Sequence, residues 1–359
     1  MNKSLLTFIF SIIFTLSMVA QTRTESSNTL FERLVNDGHV VGASAGYSVN
    51  GQTLWESVIG YADKSENQNF SLNTKVRTAS IAKSMTAVAV MQLVEQGKID
   101  LNLPIDTYIS GFIQKGNTKI TTKHILSHTS GINAYKNSKE AENKINYATL
   151  KDAYSVFKDR KLRFEPGTAY FYTSYGYVVL GMLIEHVSGM SYETYMQTHI
   201  WDKAGMTNTG IEKFDEQSEQ TSELYHKQKK NKLIEATPNN LSNRIPGGGL
   251  FSTTTDLLNF GNALLNNTLL REETLELMIQ HHSLEKENNG YGFGFYLYGK
   301  QPNEGTIFGH GGAQTGSSTQ LFIIPSLKTV VVLMSNTSGA GGEVSSVAGQ
   351  LIDISQQKE

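Results

Sequence analysis

The spacing of apolar positions changes along the chain, and each change predicts a different kind of element. The stretch "TLFERLVNDG" (29–38) has helical spacing and ends at Gly38, a residue suited to helix termination. "ASAGYSVNGQTLWESVIGYAD" then alternates, with Asn50-Gly51 between two apolar runs, which predicts a hairpin. Residues 81–96 place Ile81, Met85, Val88, Val90, Met91, Leu93 and Val94 on nearly every helical face. A helix apolar all round is a central, buried one, and Gly97 closes it.

From about 98 to 250 the pattern is mostly helical with long polar loops. "YGYVVLGMLIEHVSG" (175–189) reads as a second apolar helix, 135–160 as amphipathic and 212–245 as polar and loop-like. Beyond 290 come short β-branched and aromatic runs broken by Gly or Pro: "YGFGFYLYG", "GTIFGHGG", "STQLFIIP" and "KTVVVLMSN". Residues 342–356 read as a last helix. The expected class is therefore α+β. An antiparallel sheet built from both ends of the chain is flanked by the N- and C-terminal helices, and a mostly helical lobe lies between. One unit is expected over 25–356, with a sheet lobe at about 28–97 and 290–356 and a helical lobe at about 98–250. A cleft between the lobes is the expected site.

Composition narrows the function. A length of 359 residues supports a sizeable core, and 39% hydrophobic with 18% charged residues is ordinary for a globular protein. The net charge of -2 argues against a nucleic-acid surface, so the lysines of "YHKQKKNKL" (225–233) read as a solvated loop. With no cysteine, disulfides, thiolate nucleophiles and Cys-ligated metals are excluded. The start "MNKSLLTFIFSIIFTLSMVA" (1–20) reads as a signal peptide: Lys3, an apolar run, then small residues. Export to the periplasm or exterior is expected, with an uncleaved anchor as the alternative.

Candidate chemistry begins where the buried helix begins. In "RTASIAKSMTAVAVMQLVEQG" (77–97), Ser80 and Lys83 stand one helical turn apart. A serine hydroxyl needs a base to act as a nucleophile. Burial and the positive helix N-terminus both favour a neutral lysine, the form able to accept a proton. The first N–H groups of the helix suit a developing oxyanion. Alone the pair is weak, because chance supplies about one or two Ser-x-x-Lys spacings in a chain this long. Ser155 and Lys158 form a second such pair, on a segment that reads as a solvated helix.

Company raises its significance. "ILSHTSGI" (125–132), "FEPGTAYFYTSYGYVVLG" (164–181), "GGGLFSTTTDLLNFGNALL" (247–265) and "FGHGGAQTGSSTQLFIIP" (308–325) follow the Ser80 region in order. With them the chain, over roughly 30–335, resembles the serine β-lactamase-like superfamily: class C β-lactamases, penicillin-binding D-alanyl-D-alanine peptidases, and related esterases and serine proteases. The resemblance implies Ser80 as the acylated nucleophile, Lys83 as its partner and Tyr172 as the phenol that moves the proton. It places Ser174 where the family usually has Asn, and His310-Gly311-Gly312 on a strand edging the cleft. The N–H groups of Ser80 and Ala313 would form the oxyanion hole. Ser174, Gly311 and Ala313 depart from the family pattern. Together they weaken the grip on a peptide or β-lactam carboxylate, the last two by removing hydroxyls. The Ser at the Asn position and "HGGAQTGSST" (310–319) are similar to the lactamase-like serine protease branch, and lean the substrate class that way.

Each residue also has a structural alternative. Tyr172 sits among Tyr170, Phe171, Tyr175 and Tyr177, and His310 alone reads as a structural histidine. His124 and His128 have an i, i+4 spacing that metal ligands use, but no Glu follows His124, and the resemblance gives His128 a loop-structuring role. The expected protein is a secreted serine hydrolase acting through an acyl-enzyme on an ester, peptide or amide. It needs no cofactor, metal or nucleic acid. The alternative is a silent sensor of cell-wall peptides or penicillin. Oligomeric state is not legible.

Overall fold

The computed structural model describes residues 23–216, 220–284, 290–299 and 306–357. The expected signal segment lies outside the described residues. At the centre is a seven-stranded antiparallel sheet. Its strands are β1 (Gly42–Val49), β2 (Gln52–Asp63), β3 (Gln68–Asn69), β4 (Tyr296–Leu297), β5 (Phe308–Gln314), β6 (Ser317–Ile324) and β7 (Thr329–Ser335), in the order β3-β2-β1-β7-β6-β5-β4. The β1–β2 connection is the expected Asn50-Gly51 turn, with φ of 52° and 77°. Both residues must adopt positive φ for a two-residue turn that matches strand twist, and Asn-Gly does so at least cost. The first and last long strands pair, from Ala43 with Ser335 to Val49 with Thr329, so the two ends of the chain share one sheet.

Four longer helices cover this sheet, and a fifth packs behind one of them. Helix α1 (23–36) and α5 (Gly341–Ser355) lie on one face, where Phe31, Leu34, Tyr47, Trp55, Val344 and Leu351 form one cluster. On the other face lie α2 (Ile81–Glu95) and α4 (Thr254–Leu265). All eight residues of β6 are buried, as expected of a strand covered on both faces. Helix α4 comes very close: a Cβ on Gly261 would stand 2.5 Å from Val330 Cγ1. Helix α3 (Ser174–Ser188) packs on α2 and ends at Gly189 in the left-handed conformation. Thus α2 is sandwiched between the sheet and the helical region, which is why it is apolar on all sides.

The middle of the chain is less purely helical than its pattern predicts. Gly210–Ile211 and Val76–Arg77 flank Leu250–Ser252 in one small sheet, and Thr337–Ser338, Tyr225–Lys227 and Leu233–Glu235 form another. Strands of two or three residues are too short to show an alternating period, so the polar stretch 212–245 reads as loop. Ser155 lies at the end of a short helix, exposed, its hydroxyl bonded to Asp152 O, so the second Ser-x-x-Lys pair is a surface feature.

Candidate active site

Ser80 stands at the N-cap position of α2 with its hydroxyl not spent on a capping bond, directly after a sharp turn out of the Val76–Arg77 strand. Ala79 makes that turn with φ of 48°. A left-handed conformation costs a non-glycine residue about 1–2 kcal/mol, so the surrounding contacts must hold it. They include Thr78 N–H donating to Leu250 O at 2.9 Å, and the first helical bonds from Ile81 and Ala82 back to Thr78 and Ala79. The strain lies at the residue that aims Ser80.

Lys83 lies one turn on and is fully buried. Its Nζ is 3.2 Å from Ser80 Oγ and 3.0 Å from Ser174 Oγ, and donates to Gly247 O at 2.6 Å. No carboxylate is among these partners. Burial, and secondarily the positive charge of Arg244, hold its pKa well below that of an ordinary lysine. A neutral amine has two hydrogens and one lone pair. Gly247 O takes one hydrogen and Ser174 Oγ can take the other, which leaves the lone pair for the Ser80 hydroxyl.

Ser174 opens helix α3. Thr173 caps that helix by accepting from Tyr175 N–H at 3.2 Å, and its own hydroxyl donates to Asn133 O at 3.1 Å. Tyr172 therefore stands one residue before a pinned helix start. The Lys83 Nζ is 4.7 Å from its ring centre. Burial pushes the Tyr172 pKa well up, and nearby Ser80 partly opposes this; the phenol is buried and closes no hydrogen bond of ordinary geometry. Its ring packs 4.4 Å from that of His128.

His128 and His310 stand behind this front row. His128 has φ of 59° and sits among the rings of Tyr170, Tyr172, Tyr177 and Tyr291. Burial, and then its nearness to Lys83 and His310, holds it neutral. His124 lies elsewhere, its Nδ1 accepting from Thr121 N–H to cap the short helix Thr122–Leu126. His310 is only 1% exposed, and burial followed by Lys83 pushes its pKa down to about 3. Its Nδ1 lies 2.6 Å from Gly311 O, which requires the proton there, so Nε2 accepts from the Tyr291 hydroxyl at 3.2 Å. The imidazole is thus a neutral, buried support for strand β5 (Phe308–Gln314).

The family description Beta-lactamase matches residues 28–354. The chain belongs to the beta-lactamase family. It is 26% identical to "Serine beta-lactamase-like protein LACTB, mitochondrial" of Homo sapiens, over 84% of this chain and 72% of that protein. It resembles the structure of the octameric penicillin-binding protein homologue from Pyrococcus abyssi, with a TM-score of 0.81, 24% identity, and coverage of 92% and 77% of the two chains. It also resembles the D-stereospecific amidohydrolase from Streptomyces sp., with a TM-score of 0.74, 26% identity, and coverage of 91% and 97%. The superfamily read from the ordered motifs is therefore the right one, as is the α+β fold.

Within this beta-lactamase family frame, the fold brings Ser80, Lys83, Tyr172 and Ser174 together. Strand β5 carries His310, Gly312 and Ala313 past them. Beyond Gly309 its outer edge has no strand partner among the described residues. Gly312 is sterically required: a Cβ would stand 2.2 Å from Thr319 Oγ1 and 2.6 Å from Thr78 O. Gly311 is not, since its nearest neighbour would be Gln320 Oε1 at 3.1 Å, so the missing hydroxyl there is a chemical difference. Ala313 is exposed.

Three contributors were not read from the sequence as site residues. The Gly247 carbonyl holds Lys83 from 164 positions away. Ala79 carries the strained turn. Arg77, 5% exposed, ties the strand before Ser80 to Glu212, Asn239 and Thr315. All three stood inside quoted motifs, Arg77 and Ala79 in "RTASIAK" and Gly247 in "GGGL", without a role assigned to them.

Proposed function

We propose that this protein is an exported serine hydrolase that acts through an acyl-enzyme on an ester, amide or peptide. The observation that carries the reading is the buried Lys83, poised between Ser80, Ser174 and the Gly247 carbonyl. Ser80 Oγ attacks the substrate carbonyl carbon as its proton passes to the neutral Lys83 amine. Tyr172, beside both, relays that proton to the departing oxygen or nitrogen as its bond to the carbonyl carbon breaks. Water then cleaves the acyl–Ser80 ester by the reverse route. The Ser80 and Ala313 N–H groups receive the oxyanion, helped by the N-terminal end of α2.

Peptidase or esterase activity is favoured over true β-lactamase activity, because Gly311 and Ala313 bring no hydroxyl to the cleft strand. Export rests on the pattern of residues 1–20. Among the described residues no helix is long and apolar enough to cross a membrane.

The test is turnover of p-nitrophenyl esters, D- and L-amino-acid anilides and a penicillin by the wild type and Ser80→Ala, with intact mass recorded after each. Turnover and a transient acyl adduct, both lost in Ser80→Ala, are expected. Full activity retained by Ser80→Ala on every wild-type substrate would overturn the reading. A permanent adduct without turnover would mark a sensor instead.

A further inference from the structure

Among the described residues, Arg244 is a buried cation near the site that no carboxylate answers. It is 7% exposed. Its Nε donates to Asn243 Oδ1 at 3.0 Å, and its guanidinium lies 4.6 Å above the Tyr135 ring. Its Nη2 is buried without a partner, and so is the Tyr135 hydroxyl beside it. Among the described residues no carboxylate pairs with it. Glu140, on the segment packed against Asn243, spends its carboxylate on Arg160 at 2.7 Å and Tyr175 at 2.6 Å.

An arginine buried without a counter-ion is costly, and its planar fork matches the geometry of a carboxylate that a ligand could supply. Position supports this here. Arg244 immediately precedes the short helix Ile245–Gly248, in which Gly247 holds Lys83 and lies against Ser174. The orphaned fork is thus three residues from the catalytic lysine's carbonyl partner, on the Ser174 flank of the site. The cleft strand, by contrast, has lost the hydroxyls that would grip an anion on its own side.

We propose that Arg244, with the Tyr135 hydroxyl, binds a carboxylate of the substrate on the Ser174 flank, so that the preferred substrates are anionic acyl compounds. A guanidinium fork takes a carboxylate through two parallel N–H bonds, and the Tyr135 O–H supplies a third donor. The substrate class rests on the hydrolase reading above.

The experiment compares the mono-p-nitrophenyl ester of glutaric acid, which keeps a free carboxylate on the acyl chain, with the matched uncharged pentanoate ester. For the wild type, kcat/KM for the glutarate ester is expected to exceed that for the pentanoate by about ten- to a hundredfold, the range of a charge-assisted pair. Arg244→Gln is expected to bring this ratio close to one. Because Arg244 also acts on Lys83, the ratio and not the absolute rate is the readout. Equal ratios in the two proteins would overturn the proposal.

Thermal melts supply a second readout that needs no turnover. Without ligand, Arg244→Gln and Arg244→Met are expected to melt at or above the wild-type temperature, since each removes an unpaired buried charge. If both variants fail to fold, Arg244 is structural and the proposal falls. Glutarate, but not glutaramide, is expected to raise the wild-type melting temperature and to leave that of Arg244→Gln unchanged. A wild type that hydrolyses neither ester yet shows this Arg244-dependent shift would defeat the hydrolase reading and keep the carboxylate site. Absence of both effects would end the proposal.

Discussion

Arg77 should prove more important to stability than its place in a two-residue strand suggests. All five of its N–H donors are used. Nε reaches Glu212 Oε2 at 2.7 Å, and Nη2 reaches Glu212 Oε1 at 2.5 Å and Asn239 O at 3.0 Å. Nη1 reaches Asn239 Oδ1 at 2.7 Å and Thr315 O at 2.9 Å. One side chain thus clamps the strand before Ser80 to the β5–β6 turn and to two loops of the middle region. Arg77→Met fills most of the volume but leaves the Glu212 carboxylate without its cation. Breaking a buried pair costs about 3–5 kcal/mol. The Glu212 side chain is 16% exposed, so water reaches it and the lower end applies, about 3 kcal/mol. The abandoned Asn239 and Thr315 oxygens add about 1 kcal/mol. The expected loss is therefore about 4 kcal/mol. The double variant Arg77→Met/Glu212→Leu no longer buries an unpaired charge and should recover about 2 kcal/mol. Urea unfolding followed by tryptophan fluorescence measures both. A single variant within about 1 kcal/mol of wild type, or a double variant no more stable than the single, would refute the reasoning.

Two further perturbations test the geometry around Ser80. Lys83→Met should abolish acylation while stabilising the protein near neutral pH. The buried amine has a depressed pKa, so below the ordinary lysine value the unfolded chain binds a proton that the folded one does not. Wild-type stability from this group therefore rises with pH up to that value, and the advantage of Lys83→Met should shrink steadily as pH is raised, read from denaturation midpoints at pH 6, 8 and 10. Ala79→Gly should raise stability by about 0.5–1 kcal/mol, because glycine accepts the positive φ that alanine pays for, less the extra freedom it gives the unfolded chain. A loss of stability on this change would mean that the Ala79 methyl packs better than its backbone is strained.

Much of this protein is written in local pattern. The Asn50-Gly51 hairpin, the all-round apolar run of α2 and the Gly-terminated α3 are set by residues a few positions apart, and their spacing can be read directly. So can the Ser80–Lys83 pair, since i and i+3 meet on any helix. Tyr172, Ser174 and the place of strand β5 at the site came into view only through resemblance to a family, because nothing local links them to Ser80. What tertiary structure alone decided lies further apart. A sheet shared by the two ends was expected, but that β1 pairs with β7, and in which register, was not. The partner that takes a Lys83 hydrogen is a backbone carbonyl 164 residues away, and a carbonyl is the same atom at every position. Arg77 finds Glu212 135 residues on, and Arg244 finds none among the described residues. Whether a charge is answered, and whether a lysine is dry enough to be a base, depend on burial and distance in three dimensions. Those are properties of the packed molecule, and the order of residues along the chain does not state them.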